Sequence, residues 1–254
     1  MIEAQPLPKS DVDCLTSLPD ALAKGAKGEL PISTTTMDSV AVLQYTGGTT
    51  GVAKGAILSQ GNLFASAAQS AIASEEMLTP QEIAQGVEEI VIAPMPMYHV
   101  YGFTLSAITV FLNGGLSVLI PDPRNIDSLI EAMKAYPFTG MAGVNTLFVG
   151  MMAHPDFDKV DYSSVKGVIA GGAALVKEIG EEWKARTGSD IFEGYGLSET
   201  AATLTVNRTN KRKLGTVGIP MACMEVQLRN AAGIEVGVNE EGEICVRGPQ
   251  VMEG

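Results

Sequence analysis

Short apolar runs alternate with longer amphipathic stretches along most of this chain, starting near Val40. An apolar run of a few residues is typical of a buried strand, and a period close to the helical turn is typical of a helix. Their alternation predicts an α/β fold, with a mostly parallel sheet flanked by helices. The predicted strands lie near residues 40–45, 89–94, 116–120, 138–142, 166–170 and 190–193. The predicted helices lie near residues 61–74, 99–112, 127–136, 145–153 and 175–187.

The helix predicted at residues 175–187 shows the amphipathic pattern clearly. Leu175, Ile179 and Trp183 recur every four positions, and charged residues fill the positions between them. Such spacing places the apolar side chains on one face of a helix and the charges on the other. We therefore expect this helix to cover one face of the sheet.

Changes in composition and hydrophobic periodicity along the sequence predict three regions. Residues 1–37 mix Pro, Lys, Asp and Gly with little periodicity, which indicates a connecting segment. Residues 38–216 carry the βα pattern and form the predicted core. Residues 217–254 contain alternating apolar positions, such as Ile244 and Val246 around a polar turn, and predict the start of a small β-rich, barrel-like subdomain that is incomplete.

Composition and charge narrow the class of protein. The 254 residues are 46% hydrophobic, and 17 basic against 29 acidic residues give a formal net charge of -12. Such a composition is normal for a compact globular protein. A phosphate-rich polymer would be repelled by this charge, so no nucleic-acid partner is expected. A small nucleotide is still allowed, because a local loop and a metal ion can hold its phosphates.

Cysteine usage and the termini bear on the compartment. Cys14, Cys223 and Cys245 have no C-x-x-C spacing, so neither a disulfide framework nor a zinc site is predicted. The N-terminal residues lack the basic region and apolar run of a secretory signal, and no stretch approaches the ~18 apolar residues that cross a bilayer. We expect a cytoplasmic protein, with peripheral contact on the inner face of a membrane left open.

A glycine- and threonine-rich segment follows the first predicted strand. From Tyr45 to Gly55 it reads Tyr-Thr-Gly-Gly-Thr-Thr-Gly-Val-Ala-Lys-Gly. Glycines let successive backbone N–H groups turn toward one point, and the hydroxyls and the ammonium add further donors, so the segment suits a polyphosphate. It is not a Walker loop, which needs Ser or Thr directly after its Lys, whereas Gly55 follows Lys54. By composition alone, a flexible hairpin between two strands is the alternative.

This loop resembles the phosphate-loop signature of the adenylate-forming, or AMP-binding, superfamily. Two further motifs follow in the superfamily's order. Pro-Met-Tyr-His, ending at His99, is similar to the substrate-side motif, and Glu-Gly-Tyr-Gly-Leu-Ser-Glu-Thr, from Glu193 to Thr200, is similar to the adenine and magnesium motif. The resemblance covers roughly residues 38–254. Segments such as Tyr136–Met141 and Gly248–Met252 resemble bacterial long-chain fatty-acid CoA ligases in particular.

The resemblance implies the roles of specific residues. ATP and Mg²⁺ are the implied cofactors, with Glu199, assisted by Thr46, as the magnesium ligand and Tyr195 stacked on adenine. Ser198 stands where the family often has Thr, and its hydroxyl is expected to keep a phosphate contact. The residues implied in catalysis are His99, Thr46, Glu199 and Lys54. The residues implied in nucleotide binding are Thr46, Gly47, Gly48, Thr49, Thr50, Gly51, Lys54, Glu193, Gly194, Tyr195, Gly196, Leu197, Ser198 and Glu199. Gly171, Gly172 and Ala173 follow another apolar strand, and because ligands of open α/β sheets collect at the carboxyl ends of strands, they are predicted walls for adenine and the acyl carboxylate. Tight packing of helix and strand is the alternative for these three residues.

The resemblance further implies a reaction. A fatty acid is activated to acyl-AMP with release of pyrophosphate and is then transferred to CoA with release of AMP, so the partners are the small molecules ATP, fatty acid and CoA. His99 is expected beside the acyl carboxylate. A homodimer is left open. The length of the acyl chain does not follow from these motifs.

The resemblance also has gaps and alternatives. The superfamily carries a Thr-Gly-Asp motif, a hinge and a catalytic Lys beyond the region matched here, so we expect this chain alone to bind ATP weakly and to be inactive, while its parent is active. One alternative is an acyl-AMP ligase or adenylation module that loads a carrier protein. Another is a non-catalytic nucleotide-binding domain, although the loop shows no bulky replacement of its glycines.

Overall fold

The computed structural model describes residues 16–46, 54–86 and 88–254. It divides into two units, Met1–Thr35 and Thr36–Gly254. In the first unit a single described helix, α1 (Leu18–Gly25), lies within the predicted connecting segment, where we expected none. The Ser17 side chain accepts a hydrogen bond from Asp20 N at 3.2 Å, so a local cap starts this helix without any buried residue to support it.

The second unit is built on a seven-stranded sheet with the strand order β4-β3-β5-β6-β7-β8-β9. The first five strands in that order run parallel, and β8 and β9 continue the sheet antiparallel. The predicted α/β class is therefore confirmed. The strands of this sheet are β3 (Ile90–Ala93), β4 (Leu116–Leu119), β5 (Gly140–Gly143), β6 (Gly167–Ala170), β7 (Ile191–Leu197), β8 (Ala202–Val206) and β9 (Ile219–Pro220).

Helices connect the parallel strands, as the βα pattern predicts. The helix predicted at residues 99–112 is interrupted, because a π-helix, Phe103–Thr109, separates two short α-helical ends. The α-helices of this unit are α2 (Gln60–Glu75), α3 (Pro80–Gln85), α4 (Val100–Gly102), α5 (Val110–Leu112), α6 (Ile126–Ala135), α7 (Asn145–Met152) and α8 (Lys177–Thr187). Single turns of 3-10 helix lie at Phe157–Lys159, Ser198–Thr200 and Thr209–Lys211.

Two small antiparallel sheets complete the second unit. The first predicted strand, β1 (Val40–Thr46), does not join the parallel sheet but pairs with β2 (Lys54–Ser59), a strand that we did not predict. The short connection between them explains this, because antiparallel strands need only a tight loop, whereas parallel strands need a long crossover. The second sheet pairs β10 (Glu225–Arg229) with β11 (Glu243–Arg247), within the predicted β-rich region.

An aromatic cluster forms the centre of the main core. Trp183 is fully buried, with its ring centroid 5.4 Å from that of Phe148, 5.5 Å from Phe157 and 5.9 Å from Tyr162. Its indole N–H donates to Ser189 Oγ at 2.9 Å, so burial leaves no polar group unsatisfied. Helix α8 is thereby fixed against the sheet by its predicted apolar face.

We expect substitution of Asp156 by asparagine to reduce the acid sensitivity of the fold. Asp156 lies between Lys134 at 2.5 Å and Lys159 at 2.6 Å, and these two cations, Lys134 first, lower its pKa from 3.8 to about 2. A lowered pKa contributes stability that is present above the ordinary value and lost as the pH falls through the folded value. The variant should therefore lose less Tm than the parent between about pH 4 and about pH 2.

The measurement is thermal unfolding followed by circular dichroism across that range. Asp38→Asn is the control, since Asp38 has no ion pair within the described ranges. Parallel Tm curves for the parent and the Asp156 variant would contradict the assignment.

Candidate active site

Three of the sequence motifs meet where the β1–β2 hairpin packs against the turn Ser198–Thr200. A hydrophobic cluster holds them together, with Leu58 from β2, Val100 from α4 and Ala201 after the turn all buried in it. Gln44 Nε2 of β1 donates to Tyr98 O at 3.2 Å, which ties the hairpin to the Pro-Met-Tyr-His motif. The strands that flank the glycine-rich segment, the substrate-side motif and the Glu199 motif thus share one edge of the fold.

The ends of the glycine-rich loop are positioned by the hairpin. Thr46 and Lys54 are cross-strand partners, and Thr46 Oγ1 donates to Lys54 O at 3.3 Å. The Lys54 side chain is exposed and makes no ion pair with the described part of the chain. The loop between them contains Gly47, Gly48, Thr49, Thr50 and Gly51, which lie outside the described residues. The phosphate-binding interpretation and the hairpin interpretation of this segment are compatible, since a segment that joins two antiparallel strands can also bind phosphate.

The segment Ser198–Thr200 holds Glu199 at the end of β7. Thr200 Oγ1 accepts a bond from Leu197 N at 3.0 Å, and Met252 N donates to Glu199 O at 2.8 Å. Directly after the turn, Ala201 and Ala202 have φ angles of 48° and 105°. Positive φ at residues with a Cβ is costly and persists only where the surrounding structure imposes it. The backbone that carries Glu199 is therefore held firmly.

The Glu199 carboxylate fits a magnesium ligand. It is half-buried and has no ion-pair partner within the described ranges. Those ranges also contain no cluster of three or more His, Cys, Asp or Glu side chains. Mg²⁺ is commonly bound by one or two carboxylates together with substrate phosphates, so a single carboxylate on the turn that contacts β1 and β2 suits this ion.

The residues preceding Glu199 have different environments. Tyr195 is half-buried and packs against the cluster around Leu204 and Val206, while Gly196 and Leu197 are exposed and Ser198 is half-buried. A Cβ on Gly196 would overlap the carbonyl oxygen of Ala202, and one on Gly194 would lie 3.2 Å from Thr205 O. Glycine is required at Gly196 by this close approach of β8.

Glu193 has a position that the sequence did not reveal. Its side chain is 95% buried, and its Oε1 accepts a hydrogen bond from Leu175 N at 2.9 Å. Its Oε2 has no hydrogen-bond partner among the residues that the structure describes. A buried acceptor without a donor is costly, so this carboxylate both fixes the loop before α8 and leaves one oxygen available.

That loop contains Gly171, Gly172 and Ala173. Gly171 is buried, and Gly172 and Ala173 are exposed. Gly171 N donates to Gly143 O at 3.2 Å, and Gly172 has a φ of +77°, which favours glycine. Asn145 anchors the loop further along by donating to Ala174 O at 2.7 Å.

His99 caps the helix that follows it. Its Nδ1 accepts a hydrogen bond from Tyr101 N at 3.1 Å, so the neutral ring carries its proton on Nε2. The ring is exposed, and Nε2 is therefore available as a donor. Tyr101 is buried, donates to Ile169 O at 3.0 Å, and has a raised pKa because burial disfavours its phenolate. Tyr101 thus connects the His99 helix to β6 and to the following loop, which begins at Gly171.

A cavity of about 310 Å³ lies between α2, the π-helix and the sheet. Two of its lining residues neighbour the shared edge: Thr203 follows Ala202 in the chain, and the Ile169 carbonyl accepts a hydrogen bond from Tyr101. Its volume falls within the range of small-molecule sites, ~300–1,000 Å³. We name it the acyl cavity, after the role that is proposed for it under the function of the chain.

Sequence reasoning missed two polar side chains that support the site. Gln250 is fully buried, and its Nε2 donates to Thr200 O at 2.8 Å and to Thr203 O at 2.7 Å. Asn62 Nδ2 donates to Pro249 O and Val251 O, both at 2.9 Å. Their partners lie far away in sequence, so local pattern gives no signal of them.

One further finding concerns membranes: within the described ranges, every helix is too short or too polar to cross a bilayer.

Comparison with known proteins gives consistent matches. The sequence profile of the family described as AMP-binding enzyme matches residues 3–254. The long-chain-fatty-acid–CoA ligase of Yersinia pestis is 36% identical over 244 residues, 93% of this chain and 42% of the relative. The protein of the same name from Bacillus subtilis is 34% identical over 85% of this chain and 37% of the relative. The chain thus spans less than half the length of these curated relatives.

Solved structures agree on the fold. ATP-bound MatB from Rhodopseudomonas palustris superposes with a TM-score of 0.79 at 25% identity, over 92% of this chain and 45% of that one. The o-succinylbenzoate CoA synthetase MenE from Bacillus subtilis, in complex with the acyl-adenylate intermediate OSB-AMP, gives 0.76 at 26% identity, over 92% and 46%.

Proposed function

The chain belongs to the AMP-binding enzyme family, and from this premise we propose that it forms the ATP-facing core of an enzyme that activates a long-chain fatty acid. The carboxylate attacks the α-phosphorus of ATP and pyrophosphate leaves. The CoA thiol then attacks the acyl-adenylate, and AMP leaves. The observation that carries the proposal is the shared edge, where the hairpin, α4 and the Ser198–Thr200 turn, the elements that carry or adjoin Lys54, His99 and Glu199, pack together.

The first requirement of this reaction is neutralisation of charge, because both reactants are anions. Lys54 supplies a cation that no described acid pairs with, and the loop Gly47–Gly51 is proposed to supply backbone donors to the β- and γ-phosphates. Glu199, with Thr46, would hold Mg²⁺, and the bound ion would offset the negative charge of the phosphates. Preorganised donors of this kind typically contribute ~2.7–4 kcal/mol each to transition-state stabilisation.

The nucleoside is proposed to lie between β7 and the loop that contains Gly171, Gly172 and Ala173. The ring of Tyr195 is proposed to stack on the base, and the small residues Gly172 and Ala173 would let the nucleoside approach the backbone closely. Glu193 is proposed to position this loop through Leu175 N, and its second oxygen is available to accept from a ligand donor.

The acyl group is proposed to enter from the His99 side. The Nε2–H of His99 would donate to the acyl carboxylate and orient it. The hydrocarbon tail would occupy the acyl cavity, whose floor includes Val91, Met141 and Ile169. CoA is favoured over a carrier protein as the acceptor because the relatives are named CoA ligases. Transfer assays with CoA and with a phosphopantetheinyl carrier protein would separate the two acceptors.

Replacement of Lys54 by methionine is expected to weaken ATP binding about tenfold. A charge-assisted hydrogen bond contributes ~1.5–3 kcal/mol, and ~1.4 kcal/mol is a factor of ten in affinity. The measurement is calorimetric titration of this chain with ATP and Mg²⁺. Lys177→Met, on the exposed face of α8, is the matched control and should bind as the parent does.

The same chain tests the reaction itself. Since binding is expected to be weak, we expect little fatty-acid-dependent exchange of pyrophosphate into ATP from these residues alone. If the unsubstituted 254-residue chain is folded but does not bind ATP even at millimolar concentration, the assignment of the nucleotide site is overturned.

A further inference from the structure

The acyl cavity contains buried polar side chains that a plain hydrocarbon would leave without partners. We propose that this cavity selects an acyl chain that carries a hydroxyl group remote from its carboxylate. The inference rests on the proposed function, because it names the class of acyl substrate for the same site. It is carried by three side chains in the cavity wall, Arg208, Ser70 and Ser106.

One part of the cavity suits hydrocarbon. Val91 of β3, Met141 and Ala142 of β5, Ile169 of β6 and Leu105 of the π-helix line it with apolar atoms. Removing apolar surface from water is favourable by ~25 cal/mol per Å². This wall accounts for binding of an alkyl chain but discriminates little between chains of similar shape.

Arg208 brings a guanidinium into the wall. The residue is 91% buried, and its Nε and Nη1 have no hydrogen-bond partner among the described residues. Nη1 lies 3.3 Å from Glu76 Oε1, but without hydrogen-bond geometry, and Glu76 is half exposed. Within the described part of the chain, Nη2 donates its one hydrogen bond to the sulfur of Met221, at 3.9 Å. A buried charge with unmet donors is costly, and a ligand oxygen would relieve that cost.

Two hydroxyls add to the same environment. Ser70 of α2 and Ser106 of the π-helix are 94% and 100% buried. Neither Oγ has a hydrogen-bond partner in the described part of the chain. They belong to two different elements that enclose the cavity. An alcohol placed between such groups would donate one hydrogen bond and accept others.

The remaining charges decide between a hydroxyl and a second carboxylate. Glu75 and Glu89 also line the cavity, and so does Lys166. Lys166 is already paired with Glu82 at 2.5 Å. Among the described residues, the Glu89 carboxylate accepts a hydrogen bond only from the neutral Asn113 side chain, at 3.0 Å. A terminal carboxylate would therefore meet two acids that this lysine does not neutralise. A neutral hydroxyl satisfies Arg208 without that repulsion.

The test measures direct binding of acyl ligands to this chain. Dodecanoic acid is compared by calorimetry with dodecanedioic acid and with monohydroxylated dodecanoic acids that differ in the position of the hydroxyl. We expect at least one remote hydroxy acid to bind about tenfold more tightly than dodecanoic acid, which corresponds to about 1.4 kcal/mol. The diacid should bind less tightly than that hydroxy acid. Equal affinity of all hydroxy acids with dodecanoic acid, or tightest binding by the diacid, would overturn the proposal.

A variant pair locates the effect. Arg208→Met replaces the guanidinium by an apolar chain. The affinities for the preferred hydroxy acid and for dodecanoic acid should then become nearly equal, and dodecanoic acid should bind more tightly than it does to the unsubstituted chain. Arg247→Met, 86% exposed on β11, should leave the ratio unchanged. Ser70→Ala is a smaller change that keeps the test valid if Arg208→Met does not fold, and it should reduce the preference. An undiminished preference in the folded variants would refute the assignment to these side chains.

Failure here is distinguishable from failure of the proposed function. Titration with ATP and Mg²⁺ reports on the nucleotide site alone. Intact nucleotide binding without any preference among acyl ligands would reject the hydroxylated substrate and leave adenylation in place.

Discussion

Substitution of Glu199 by glutamine is expected to remove the magnesium-dependent part of ATP binding. The change keeps the size of the side chain and its hydrogen-bonding capacity, but it removes the charge that a hard cation requires. Changes around metal ligands typically cost ~10–100-fold in metal affinity, so loss of the ligand itself should weaken ATP binding in the presence of Mg²⁺ about a hundredfold. ATP binding measured with a chelator present should hardly change.

This difference separates a metal ligand from a structural acid. Glu243→Gln, on β11, provides a matched control, because Glu243 is an exposed carboxylate. Thermal unfolding verifies that Glu199→Gln keeps the fold, as expected for a side chain with no ion pair within the described ranges. If the variant retains the full stimulation of ATP binding by Mg²⁺, Glu199 is not the ligand.

Replacement of Trp183 by alanine is expected to destabilise the chain by about 3–5 kcal/mol. The side chain is fully buried, packs against three aromatic rings and satisfies its N–H through Ser189. Its removal would leave a large cavity between α8 and the sheet. For a chain of this size the corresponding fall in Tm is on the order of 10 °C.

The control for this prediction is Phe111→Ala. Phe111 is also aromatic but 82% exposed, so its removal should change the free energy of unfolding by less than ~0.5 kcal/mol. Chemical denaturation gives both values. Equal effects of the two substitutions would mean that the aromatic cluster is not the centre of the core.

The main elements of the fold were predictable because each has a local signal. The apolar face of α8 and the short apolar runs of β3 to β7 follow from period and length, and all lie where they were expected. A local signal also existed for the missed helix α3, since Thr79 and Glu82 form a reciprocal capping box at its start. The limits of the three predicted regions and the roles of the site residues stay predictions.

Other features had no local signal. An apolar run does not specify its partner, so β1 was placed in the parallel sheet although it pairs with β2. The segment Phe103–Thr109 is a π-helix, but its pattern of apolar residues is also typical of an α-helix. The hydrophobic period therefore does not distinguish the two types of helix. Nor does sequence show that the Glu193 side chain binds Leu175 N.

The family and the chemical groups follow from local sequence, because three ordered motifs fix which residue types are present and in what order. Only in the folded chain do the hairpin, the His99 helix and the Glu199 turn come to one edge. Folding also buries Arg208 in the wall of a cavity without a hydrogen-bonding partner for its Nε among the described residues. The physical reason is that motifs are local, whereas burial and unmet hydrogen bonds depend on contacts between residues distant in sequence.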